Sequence, residues 1–264
     1  MKIKILYEDK NILAIDKPPH IACHTDQHTK KNEKTIADWI ILNYPKLKNV
    51  GEPMEVSYKG EDIKIPRPGI VHRLDRETSG ILLVAKNQKT FLFLKNQFQN
   101  HKIEKVYQAF LYGYVPTPKA SLLTGKRGVI NSPIGRSPND IRAFTAGRGA
   151  KDPIRDAETQ YIVLNRFNDT KNKEKKKDKI HQFSYVEVYP KTGRTHQIRV
   201  HMRYINHPVV SDPIYRGSYD KALGMDRLAL HAKSITFTLP SGEQKTVESP
   251  LPVDFIEVIN RYLA

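Results

Sequence analysis

The chain has 264 residues, 39% of them hydrophobic and 27% charged, enough to bury a sizeable core in one large domain or two small ones. The single cysteine, Cys23, excludes an internal disulfide framework and a thiolate metal cluster, and it suits a reducing compartment, the cytoplasm. Lys and Arg number 44 against 28 Asp and Glu, a formal net charge of +16, and a field of that sign attracts polyanions, nucleic acid ahead of anionic membrane.

The opening "MKIKILYEDKNILAI" has apolar runs broken by charge, so it reads as strand rather than secretory leader. No window reaches the apolar length of a bilayer span, and no membrane partner is expected. Residues 3 to 16 read as two short strands around the turn "EDKN", ended by "KPPH" because proline cannot donate to a ladder. Thr35 is the expected N-cap of a short amphipathic helix, "TIADWIILN" (35 to 43). "GILLVAKN" (80 to 87) is a continuous apolar run that suits a central strand. In "KTFLFLKNQFQNH" (89 to 101), Phe91, Leu94 and Phe98 fall at helical spacing, and "KVYQAFLYGYV" (105 to 115) then alternates as a strand until Gly113 breaks it.

Residues 116 to 156, rich in Gly, Pro and Arg, read as a long basic excursion, partly hairpin. "AETQYIVLNRF" (157 to 167) and "HQFSYVEVYP" (181 to 190) are strands, joined by a charge-dense tip at 168 to 179 that adds charge without chemistry. Behind Thr195, Ile198, Met202 and Ile205 lie on one helical face, and Arg199 and Arg203, four apart, share a face of that helix. The chain closes with strand, turn and strand ("RLALHAKSITFTLP", "SGEQKTVESPLP") and a short helix, "VDFIEVINRYLA". Without an internal repeat or a polar linker, the expectation is one α+β domain over 1 to 264. Its central sheet is mixed and largely antiparallel, flanked by helices and loops.

The chemistry gathers in "HRLDRETSG" (72 to 80), where Asp75 sits between Arg73 and Arg76 in a polar loop that feeds the apolar run. An acid so placed serves as a surface ion pair, a cap, a buried structural pair or a catalytic carboxylate. Loops feeding buried strands concentrate function, and an acid beside arginine stays ionised and usable as a nucleophile. The order His-Arg-Leu-Asp is not that of a kinase catalytic loop, and no phosphate-binding glycine loop precedes it. His196, His201, His207 and His231 lack the spacing of a metal site and read as structural or RNA-contacting, so no metal is expected. Ser79 has no nucleophile-elbow context, which disfavours a hydrolase. A glycoside hydrolase would need Glu77 as the partner of Asp75.

"HRLDRETSGILL" resembles the signature of the RluA family of pseudouridine synthases, and three further family segments follow its order: "LYEDKNILAIDKPPHIACH" with Lys17 and Pro18, "KVYQAFLYG" with Lys105, Tyr107, Ala109 and Gly113, and "KTGRTHQIRVHMRYINHPVVSDPIY", closed by "RLALHAKSITF". The resemblance implies the pseudouridine synthase fold and isomerisation of uridine in tRNA or large-subunit rRNA, with no cofactor. It implies Asp75 as the carboxylate that attacks sugar or base or takes a ribose proton. It implies Arg199 as its pairing cation, the alternative being a phosphate contact, and Tyr107 as the residue that stacks on the flipped uracil and acts in C5 proton removal, the alternative being core packing. His72, Arg73, Arg76, Thr78, Arg194 and Arg203 are the expected substrate contacts, and the arginines of the excursion are candidates to clamp RNA from outside. A catalytically silent RNA-binding or folding factor on the same scaffold is the rival reading. The chain departs from the family where His20 replaces a glycine, where Ser211-Asp212 replaces Gly-Asp, and at "INHP" in place of Leu-Gly-His-Pro. No room is expected in front for a small S4-like RNA-binding domain. A monomer without an obligate protein partner is the expected state.

Overall fold

A computed structural model describes residues 1 to 25, 29, 33 to 58, 61 to 117, 127 to 169 and 182 to 264. The charged tip, from 170 onward, lies outside them, as does 118 to 126 of the excursion. The chain divides into two compact units, Met1–Glu104 with Ala232–Ser249 and Lys105–His231 with Pro250–Ala264. As expected, the class is α+β with largely antiparallel pairing.

The first unit begins with the two expected strands, β1 (Lys4–Glu8) and β2 (Ile12–Lys17). β2 pairs antiparallel with β5 (Ser79–Ala85), Ile12 opposite Ala85 and Lys17 opposite Gly80. Every residue of β5 is buried, as a run apolar on both faces requires. Gly80, at φ 111°, has the backbone of Ala232 where a Cβ would stand, so only glycine fits. Ala232 belongs to β13 (Leu230–Thr238), whose hairpin partner is β14 (Gln244–Glu248).

α1 (Ile36–Asn43) starts at Thr35 with a full capping box: the Thr35 hydroxyl accepts from the Asp38 amide, and the Asp38 carboxylate accepts from the Thr35 amide at 2.8 Å. Two more first-turn amides, of Ile36 and Ala37, donate to the carbonyls of Ala22 and Cys23 at 2.9 Å, which seats the helix on the segment after Lys17-Pro18. α2 (Gln88–Gln99) is capped by Asn87, and its buried Gln97 amide bonds both main-chain groups of Thr238. A hairpin, β3 (Met54–Tyr58) with β4 (Glu61–Ile65), was not expected from the sequence.

In the second unit β6 (Glu104–Tyr112, from Lys105 on), β12 (Gln182–Pro190), β11 (Glu158–Asn168) and β7 (Gly128–Asn131) form an antiparallel sheet in that order. Alternation gives this sheet two faces. On one lies α4 (Val253–Tyr262): Phe255 packs on Phe110 at 5.0 Å between ring centroids, and Phe110 also stacks on Tyr185 at 4.9 Å. On the other lies α3 (Gln197–Tyr204), held to Thr159 of β11 by Gln197 and His201.

The excursion is more than a hairpin. β8 (Ile134–Arg136), β9 (Phe144–Ala146) and β10 (Lys151–Arg155) make a three-stranded sheet in the order β10-β8-β9. Ile134, Ala143, Ala146 and Ala157 form a small core with Val200 of α3 and Tyr215. The sparse alanines escape a periodicity reading because three short strands do not build a long pattern.

Candidate active site

In the first unit the loop carrying Asp75 is fixed largely through its main chain. Lys17 is wholly buried, and its ammonium donates to three carbonyls: Pro18 and Ile21 at 2.9 Å and Arg76 at 3.1 Å. An ammonium has three protons to give, and these acceptors offset part of the cost of its burial. On the other side of Asp75, the Cys23 thiol accepts from the Leu74 amide and donates to the Leu74 carbonyl, both at 3.4 Å. Burial pushes that thiol's pKa up, so it stays protonated and available as a donor. The Asp75 carbonyl itself accepts from the Thr78 amide at 3.1 Å. The residues on both sides of the half-buried Asp75 are thereby pinned by the segment 17 to 23.

The neighbours of Asp75 divide by environment. Arg73 is exposed. Arg76 is half-buried and ion-paired with Glu33, while its Nη2 has no partner among the described residues. His72 is built into the unit, its Nε2 accepting from the Leu83 amide at 2.9 Å and its ring stacked on Phe98 at 4.7 Å. Thr78 is 2% exposed and faces inward.

In the second unit Lys105 and Tyr107 share one face of β6, two residues apart. Tyr107 is half-buried against the apolar core, and Lys105 donates to the Thr192 carbonyl at 3.1 Å. Burial lowers the Lys105 pKa to about 8. The loop it holds, 191 to 196, is tied down again by Gln197, whose side-chain oxygen accepts from the Thr192 hydroxyl and the Arg194 amide. Arg194 turns its guanidinium to the Asp156 carbonyl at 2.9 Å.

Arg199 is 1% exposed, and Asp212 grips it: Nε and Nη2 each donate to one carboxylate oxygen at 2.8 Å. Asp212 also accepts from the amides of Ile214 and Tyr215, four donors on one buried carboxylate. Sequence reasoning named the Ser211-Asp212 pair only as a departure and missed this partner. The acid thirteen residues after Arg199 in the same matched segment was the available signal.

The helix lies behind Thr195 as expected, and its N-cap is His196, left-handed (φ 55°) and without a side-chain cap bond. Arg199 and Arg203, one turn apart on this helix, differ in burial: Arg199 is buried in the core, and Arg203 is exposed near the Gly217 turn. The histidines of these segments are occupied by structure. His201 donates through Nε2 to the Ser132 carbonyl and accepts at Nδ1 from Thr159, and His207 donates to the Tyr112 carbonyl.

The glycine departures have a backbone consequence. His20 (φ 66°), Asn206 (φ 65°) and Ser211 (φ 57°) all stand in the left-handed region. The conformation that the resemblance assigns to glycine is kept after the glycine is gone.

A loop carboxylate, a strand tyrosine and a buried arginine are the functional groups that carry the RluA resemblance. A family model described as RNA pseudouridylate synthase matches residues 11 to 204. The chain belongs to that family of isomerases, in its RluA branch.

Relatives cover almost the whole chain. An RNA pseudouridine synthase of Bacillus subtilis is 34% identical over 98% of this chain and 72% of its own length. The ribosomal large subunit pseudouridine synthases D of Borreliella burgdorferi and Neisseria meningitidis serogroup B are each 32% identical over 98% of this chain, which spans 68% and 61% of their lengths. The fold matches human RNA pseudouridylate synthase domain containing 1, with a TM-score of 0.68 and 24% identity over 95% of this chain and 84% of the other. It also matches domain containing 4, with a TM-score of 0.66 and 23% identity over 98% and 94%. Among the described residues no helix is long and apolar enough to cross a membrane.

Proposed function

We propose that this chain converts uridine to pseudouridine in structured RNA, with large-subunit ribosomal RNA favoured over tRNA, and that both units act as one catalytic domain over 1 to 264. In the reaction the N1–C1′ bond breaks, the uracil turns over, and a C5–C1′ bond forms; the C5 proton is removed and N1, released from the sugar, ends protonated. Atoms and electrons balance without an oxidant, so the reading requires no cofactor. Asp75 supplies the carboxylate that engages the target nucleotide. Tyr107 stacks on the uracil and takes part in removing the C5 proton, and Arg199 orients the acid or a phosphate. Arg73, Arg76, Arg194 and Arg203 hold the RNA backbone, while His72 and Thr78 keep the Asp75 loop in shape.

The observation that carries this reading is the pinning of Asp75 from both sides. A surface ion pair has no need of a buried lysine and a thiol holding its neighbours' main chain. The names of the large-subunit relatives support the ribosomal target, and the net charge of +16 supports a polyanion.

The test is pseudouridine mapping on ribosomal and transfer RNA from a strain lacking the gene, after incubation with wild-type protein or Asp75→Asn. New sites with wild type in ribosomal RNA and none with the variant are expected. New sites confined to tRNA would move the target, and RNA binding without new sites in either would leave a silent RNA-binding factor.

A further inference from the structure

One side chain joins the basic excursion to Arg199. The Tyr215 hydroxyl accepts from the Phe144 amide of β9 at 2.9 Å and is hydrogen-bonded to His196 Nδ1 at 2.8 Å. The other end of the same side chain faces Arg199, whose guanidinium carbon lies 5.1 Å from the centre of the Tyr215 ring. The Tyr215 amide is bonded to Asp212, the carboxylate that grips Arg199. On the excursion side, Arg136 lies over the Phe144 ring at 4.8 Å and is itself exposed, as are Arg142, Arg148, Lys151 and Arg155. Tyr215 is only 7% exposed and belongs to the small core on which the excursion sheet sits. A purely apolar residue would fill this core. A tyrosine adds one polar contact to each of two elements, β9 of the excursion and the His196 turn that opens the helix carrying Arg199.

We propose that Tyr215 is a positioning residue that couples RNA capture on the excursion sheet to the orientation of Arg199. The hydroxyl holds β9 and the His196 turn at the start of α3. The ring is the shelf on which the guanidinium lies. This inference rests on the reading of Arg199 as a residue of the uridine site and of the excursion as an RNA contact.

Because hydroxyl and ring serve different ends, two substitutions separate them. Tyr215→Phe keeps the shelf and removes the bond to β9. It should raise KM for RNA about tenfold, as loss of one hydrogen bond of ordinary strength does, with kcat within about twofold of wild type. Tyr215→Leu removes both and should also lower kcat about thirtyfold through loss of a desolvated cation–π contact. Rates are measured on large-subunit ribosomal RNA from a strain lacking the gene, with thermal melts of each variant alongside.

A wild-type protein that makes no pseudouridine would overturn the functional reading and the coupling with it, whereas an active wild type lets the coupling fail alone. With an active wild type, an unchanged KM in Tyr215→Phe overturns the coupling, as does a fall in kcat with no change in KM, the signature of partly unfolded enzyme. Should Tyr215→Leu melt below the assay temperature, the KM of Tyr215→Phe decides alone.

Discussion

The ammonium of Lys17 and the main-chain carbonyl of Arg76, 59 residues apart in sequence, meet at 3.1 Å in the interior of the first unit. This bond fixes the residue immediately after Asp75 without using any atom of Asp75. Lys17→Met fills the same space but removes the donor for three carbonyls, and should cost about 3 kcal/mol of stability, since hydrogen bonds from charged groups are the stronger kind. Denaturant melts measure it, and Asp75→Asn, which leaves the clamp intact, should unfold within about 1 kcal/mol of wild type. Equal losses in both variants would contradict the clamp.

His20 offers a stabilising change. A non-glycine residue in the left-handed region costs roughly 1–2 kcal/mol, and His20 is exposed at φ 66°. His20→Gly should therefore raise stability by about 1 kcal/mol after the added chain entropy of glycine is subtracted. Ser211→Gly should gain less, because the Ser211 hydroxyl donates to the Met225 carbonyl at 2.7 Å. A lower melting temperature for His20→Gly would count against the backbone argument.

The pH dependence of stability has a contribution from His201, whose pKa is lowered by burial. A base with a depressed folded-state pKa is protonated more readily in the unfolded chain, so acidification favours unfolding below the ordinary histidine value of 6.5. Replacing His201 by Gln should flatten the fall in stability between about pH 7 and about pH 5. A variant whose stability falls as steeply as that of wild type would place the acid sensitivity elsewhere.

Lys105 acts on the alkaline side with the same sign. Its folded-state pKa of about 8 lies below its ordinary 10.5, so the unfolded chain binds more protons between these values, and stability rises with pH across that window. Relative to Lys105→Met, the wild-type chain should gain stability from about pH 8 to about pH 10, read as a rising denaturant midpoint. A parallel course for the two proteins would show that Lys105 is as well solvated folded as unfolded.

How much of this the sequence disclosed depended on whether the information was local. The Thr35 cap, the buried run of β5 and the break at Gly113 follow from periodicity and cap chemistry, and the structure has them within a residue or two. The β3–β4 hairpin went unread although Val56, Tyr58, Ile63 and Ile65 alternate in its strands, because Lys, Asp and Glu between them resemble loop. Site residues in matching segments were legible as types. Their partners were not: nothing local in "SDPIY" says that Asp212 grips Arg199, and nothing in Cys23 says that its thiol bonds the main chain of Leu74. Those are products of topology, which brings together residues many positions apart.

The last helix has a consequence for synthesis. Phe255 of α4 is what covers Phe110, yet β6, where Phe110 lies, leaves the ribosome about 145 residues earlier, a lag of many seconds at ordinary elongation rates. In between, the chain departs to build β13 and β14 of the other unit before it returns. Until α4 emerges, the aromatic face of Phe110, Tyr185 and Phe167 is open to water and to chaperones. The second unit can close only once α4 has been made, so its folding waits on a segment synthesised after both segments of the other unit.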